Sequence, residues 1–250
     1  MVYNFVSMTV ISEQIRKNAI VADREFRHSN EPTRSWSLVD YGTDHRNYAR
    51  WFGLQENYFL AKCESLSLQG RRTCGLDLMS NTAFLDSLHI EGVAIGLTRT
   101  KTDELIAKMS NRHIVTGDIV GDRKRIWPEV DKLSEEHQFT RGFDVITLKG
   151  NGGLPGLSTN PLVHYQLLQE LWKREAIGGT LVAEIPDMRK TTLRLLSDKK
   201  IIDFWNTQPG VTAQLVDNRT LVLEKSDGAP ETLPVNYSPT LSTLIEWNSI

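Results

Sequence analysis

The chain has 250 residues, with 29 Lys+Arg against 31 Asp+Glu, a formal charge of −2, 40% hydrophobic and 24% charged residues. That balance excludes a disordered or fibrous chain, and the lack of a basic excess argues against a dedicated nucleic-acid binder. Two cysteines, no CxxC or HExxH pattern, no leader-like start and no membrane-length apolar run point to a reduced, cytoplasmic chain without a metal site.

Residues 1–70 read as a helical extension. Ser12 can cap a helix over 12–25, followed at helical spacing by Ile15, Ala19 and Ala22. Tyr48, Trp51, Phe52, Phe59, Cys63 and Leu66 recur at spacings near three, four and seven, which predicts one amphipathic helix over 45–68. Arginines among aromatic residues here (Arg24, Arg27, Arg34, Arg46, Arg50) have two readings: recognition of an anionic or planar acceptor, or helices packed over a sheet with their arginines in water.

Residues 71–225 alternate β-type runs at 73–79, 92–98, 113–119, 143–148 and 179–185 with helical stretches at 81–88, 102–109, 128–137 and 161–175. Such alternation requires crossover connections, hence parallel strands covered on both faces. At the end the alternation breaks: runs at 211–216 and 219–224 are separated by Asp217-Asn218, the chemistry of a tight hairpin. The predicted fold is α/β, a doubly wound, mostly parallel seven-stranded sheet with a C-terminal antiparallel hairpin. Residues 226–250, with Pro230, Pro234 and Pro239, read as an extended tail docked at its end through Leu244, Ile245 and Trp247.

The segment from Gly75 to Ala83, GLDLMSNTA, resembles the first strand and glycine loop of class I S-adenosylmethionine-dependent methyltransferases. Asp77 matches the family's acid and Thr82 a common loop position, while Met79, Asn81 and Ala83 replace its glycines. Thr98 stands where the family carries a ribose-binding acid, which this chain lacks. Thr116-Gly117-Asp118-Ile119 resembles the turn that meets the adenine, Phe143–Leu148 the fourth strand, Gly178–Val182 the fifth, and Thr220–Lys225 the last. The resemblance covers 71–225. It implies S-adenosylmethionine as cofactor, held by Asp77, Met79, Ser80, Thr82, Thr98, Asp118, Ile119, Lys149 and Gly150, and an acceptor that is a small molecule or a protein.

Several of these residues carry two readings. Asp77 either orients the loop and the cofactor's amine or caps the following helix; Asp118 either meets ligand or orders the turn from Gly117 to Gly121. Lys149 opens a glycine-rich run after the fourth strand, where open α/β sheets bind ligands, and either meets an anionic group or is solvated. Glu184 either faces an acceptor or is a paired strand-end acid. Methyl transfer needs chiefly proximity and alignment, so no catalytic base is identified. The alternative is a methyltransferase-like module that has lost its chemistry and serves in interactions. A nicotinamide-dependent oxidoreductase is disfavoured, because no GxGxxG follows the first strand and Tyr165 is followed four residues later by Gln169 instead of lysine.

Overall fold

The computed structural model describes residues 44–80, 82–96, 111–139, 141–149, 161–185 and 199–234. The helices expected over 12–25 and 102–109, and the tail end carrying Leu244, Ile245 and Trp247, lie outside these residues. The described elements are α1 (His45–Trp51), α2 (Tyr58–Leu68), β1 (Cys74–Leu78), α3 (Ala83–Ser87), β2 (Glu91–Gly96), β3 (Arg112–Thr116), α4 (Arg123–Glu136), β4 (Phe143–Leu148), α5 (Pro161–Arg174), β5 (Glu175–Glu184), α6 (Lys199–Trp205), β6 (Val211–Val216) and β7 (Thr220–Lys225).

The seven strands form one sheet in the order β3-β2-β1-β4-β5-β7-β6. The first five pair in parallel, and β7 runs antiparallel to both β5 and β6. This is the doubly wound sheet with a terminal hairpin that the sequence implied. Asp217 and Asn218 make the hairpin turn, both at positive φ (50° and 54°), as a tight right-twisted connection requires.

Side chains alternate between the faces of the sheet. Leu76, Leu78, Ile146, Leu148, Leu181 and Ala183 share a buried cluster with residues of α4, α5 and α6. On the opposite face Val145, Val182 and Val222 pack with α1, α2 and α3 through Tyr48, Phe52, Phe59 and Phe84. Both faces are therefore covered, and ligand access is left to the strand ends.

Three expectations are corrected. The single helix over 45–68 is two helices. Gly53, at φ 70°, ends α1, and the Leu54 N–H returns to the Ala49 carbonyl at 2.8 Å in a Schellman-type stop. Asp44 caps α1 at its other end, accepting from the Arg46 and Asn47 N–H groups. The helix expected from Pro128 starts five residues earlier, at Arg123, with Pro128 inside it at the cost of one bond to the Lys124 carbonyl. Strand β5 begins at Glu175, directly after α5; Gly178, at φ 81°, sits within it where the register with β4 shifts.

The tail is anchored at its start. Leu233 is buried, and its backbone exchanges two 2.9 Å bonds with the Gln169 side chain. Trp172 Nε1 donates to the Pro230 carbonyl and Trp205 Nε1 to that of Pro234.

Candidate functional site

In a doubly wound sheet the crevice lies outside the carboxyl ends of the strands, where the winding reverses. Here β1 and β4 are neighbours, with β2 and β3 on one side and β5 on the other, so the reversal lies between Met79 and Lys149. Met79 follows β1 with φ 60°, a left-handed conformation that a non-glycine residue resists. The Ser80 N–H bonds the Ile95 carbonyl at 3.1 Å, tying the loop to the end of β2. The chain thus turns after β1 with glycine-type backbone geometry although the glycines are gone.

Asp77 sits beneath the loop and is hydrogen-bonded through its side chain to Ser80. Its side chain is fully buried, and Oδ1 accepts from Thr147 Oγ1 at 2.6 Å. Parallel pairing sets Thr147 beside Asp77 on the same face. From above, Tyr48 of α1 offers its hydroxyl to both carboxyl oxygens at 3.4 Å and to Ser80 Oγ at 3.2 Å. Burial pushes the Asp77 pKa up to about 7, against the pull of the Ser80, Thr147 and Tyr48 hydrogen bonds. Asp77 therefore ties α1 and β4 to β1. Thr82 does not cap α3 with its side chain; its hydroxyl donates to Asp86 at 3.1 Å, and Asp86 pairs with buried Arg112.

Lys149 is not solvated. Only 2% exposed, it places Nζ 2.7 Å from Glu184 Oε2 and 3.5 Å from the centroid of the Trp51 ring. Desolvation lowers its pKa, and the paired Glu184 carboxylate opposes that shift. Trp51 is 44% exposed, so the indole covers the ammonium on one side and meets solvent elsewhere. Arg219 donates to the Trp51 carbonyl, fastening the end of α1. Spacing alone put Trp51 on the buried stripe with Tyr48 and Phe52. The early end of α1 leaves it at the rim instead.

Asp118, half-buried after β3, accepts from the Val120 N–H at 2.9 Å, while its own N–H donates to Asp122. It orders the turn and remains partly exposed. Ile119 beside it is buried in the core. The structure brings Asp77, Met79, Ser80 and Lys149 to the reversal point and places Asp118 at the end of β3; Thr98 and Gly150 lie outside the described residues. The contributions of Tyr48, Trp51 and Thr147 had no local signal in the sequence.

A nucleoside cofactor with a sulfonium amino acid, which the sequence resemblance implies, can be tested against these residues. The left-handed turn at Met79 and the half-exposed Asp118 fit such a group. The carboxyl of Asp77 is fully buried beneath the loop and bonded to its Ser80 side chain. Among the described residues no three His, Cys, Asp or Glu side chains gather to hold a metal, and both cysteines are free and buried, with thiol pKa values raised to about 12 by burial.

No model of a known protein family matches the chain, and no curated protein does. Solved structures similar to it include a TehB-like SAM-dependent methyltransferase from Corynebacterium glutamicum, 13% identical, with a TM-score of 0.39 over 81% of this chain and 99% of that one. The N-methyltransferase NodS from Bradyrhizobium japonicum is 16% identical, with a TM-score of 0.38 over 69% and 97%. An O-methyltransferase from Bacillus cereus in complex with SAH is 12% identical, with a TM-score of 0.36 over 66% and 80%. Among the described residues no helix is long and apolar enough to cross a membrane.

Proposed function

We propose that this chain is an S-adenosylmethionine-dependent methyltransferase of the cytoplasm, acting on a small-molecule or protein acceptor. The observation that carries the reading is Met79 at φ 60°, immediately after β1 and at the reversal point of the sheet. A left-handed residue there costs the fold roughly 1–2 kcal/mol, at the place where this architecture takes its ligands. When bound, the cofactor supplies an electrophilic methyl group. The backbone of Met79 and Ser80, with Thr82 behind it, would line its amino-acid end, and Asp77 would act on it through that loop. Thr98, Asp118 and Ile119 would hold the nucleoside, and Lys149 and Gly150 would complete the cofactor's pocket from the end of β4. In the same reading residues 1–70 form a helical cap, 71–225 carry the sheet, and 226–250 are a C-terminal tail.

Isothermal titration of the purified protein with S-adenosylmethionine and S-adenosylhomocysteine tests this, with NADPH as control. Micromolar binding of both, weakened at least tenfold in Asp118→Ala, is the expected result. The absence of heat at millimolar ligand would remove the methyltransferase reading.

One observation favours a second reading, an interaction module without chemistry. The two charged side chains at the reversal point, Asp77 and Lys149, are both satisfied internally and both covered by aromatic residues of α1. On that reading the titration stays flat, and the crevice serves to hold α1 in place.

A further inference from the structure

A cleft of about 400 Å³ opens between α4 and α5, on the face of the sheet away from α1. That size lies within the range of small-molecule sites, roughly 300–1,000 Å³. Val120, Trp127, Val163 and Leu167 give it apolar walls. Two polar ties cross between the helices and fix their spacing. Arg123 Nη1 donates to Gln166 Oε1 at 2.8 Å. About two turns further along α4, Arg174 of α5 holds Asp131 at 2.7 Å and lies 4.6 Å from the centroid of the Trp127 ring. The gap is therefore bridged by polar bonds while its lining stays largely apolar. None of its lining residues belongs to the reversal point at Met79 and Lys149.

We propose that this cleft binds a small carboxylic acid with a ring-sized apolar body, at a site independent of the methyltransferase reading. The polar groups of the lining decide the sign of the ligand's charge. Glu170, the one acid among the described lining residues, is engaged by Arg174 Nη1 at 2.7 Å. Gln169 gives both its amide oxygen and its amide nitrogen to the backbone of Leu233. Arg123 and Lys124, both exposed, supply the cationic rim. A guanidinium carries five N–H donors, and the bond to Gln166 uses one, so Arg123 can still grip a carboxylate through two others. Ile119 and Val120 line the cleft and directly follow Asp118, so a bound ligand would brace the turn after β3.

The test uses the full chain without cofactor, naphthoate as the probe and naphthylmethylammonium as its counterpart of opposite charge. Isothermal titration should give a sub-millimolar dissociation constant for naphthoate and no measurable binding of the ammonium. Val163→Trp, which fills the cleft from a partly exposed position, should abolish naphthoate binding. Arg123→Glu combined with Lys124→Glu should weaken naphthoate roughly five- to tenfold and admit the ammonium instead. The charge reversal alters only exposed side chains, so with an unchanged melting temperature it decides the question even where the filled cleft destabilises the protein. The absence of heat with millimolar naphthoate, equal binding of the two probes, or naphthoate binding indifferent to the charge reversal would each overturn the proposal.

Discussion

Asp77 is a carboxyl group held where its charged form is disfavoured. Its folded pKa, about 7, lies above the ordinary 3.8, so its contribution to stability is fully present below about pH 3.8 and is lost as pH rises through 7. Asp77→Asn removes that dependence. Thermal unfolding of the two proteins should diverge in favour of the variant by about 2 kcal/mol between pH 5 and 7, at about 1.4 kcal/mol per unit, and then run parallel. A constant difference across that range would refute the assignment. His113, whose pKa burial and the neighbouring His137 depress, acts in the opposite sense, with stability lost as pH falls below 6.5; it is common to both proteins and cancels in the comparison. The acid itself was legible in the sequence. Its partners were not, since Tyr48 lies 29 positions away and Thr147 lies 70, and no local spacing encodes such a meeting.

At the scale of elements, α1 is fastened to the sheet by the contact of Trp51 with Lys149 as well as by Tyr48, and Lys149 is itself paired with Glu184. A buried ion pair responds asymmetrically to loss of either partner. Glu184→Gln leaves an ammonium that is almost fully buried without its counter-charge, and denaturant unfolding should register a loss of about 3 kcal/mol. Lys149→Met removes the buried charge and keeps packing against the Trp51 ring, while Glu184, 18% exposed, reaches water; the change should stay within about 1 kcal/mol. Equal losses would show that the pair acts as a simple contact. The elements also explain where sequence reading fell short. Periodicity ran through Gly53 because Phe52 and Phe59 lie seven apart on the same buried side, although a glycine at that point is also the residue that ends a helix. Gly178-Gly179 looked like the start of a strand and is an irregularity inside one. The strands themselves were readable, since a sheet covered on both faces leaves continuous apolar runs such as Val93–Ile95 and Leu221–Leu223.

For the whole molecule, the tail is structural at its root. Leu233 belongs to the same buried cluster as Leu168, Trp172 and Trp205. Leu233→Ala should cost about 2–5 kcal/mol, the range for truncating a core leucine, measurable by urea unfolding. A loss under about 1 kcal/mol would mean that the tail merely lies on the surface. Three prolines in an otherwise polar stretch hid this anchoring, because extended backbone bonded to side chains has no hydrophobic period.

The place of β7 between β5 and β6 has a consequence for the order in which the molecule can be made. When the ribosome has produced β5, one of that strand's edges has no neighbour. The next described strand, β6, cannot supply one, because among the described residues β6 pairs only with β7. Some forty residues must follow Glu184 before the edge is closed, roughly 2–8 s at about 5–20 residues per second. For that interval the nascent chain presents an open strand of apolar side chains, the form of surface most prone to pairing with another chain. Any lesion that truncates or slows synthesis between β5 and β7 therefore threatens solubility before it threatens activity.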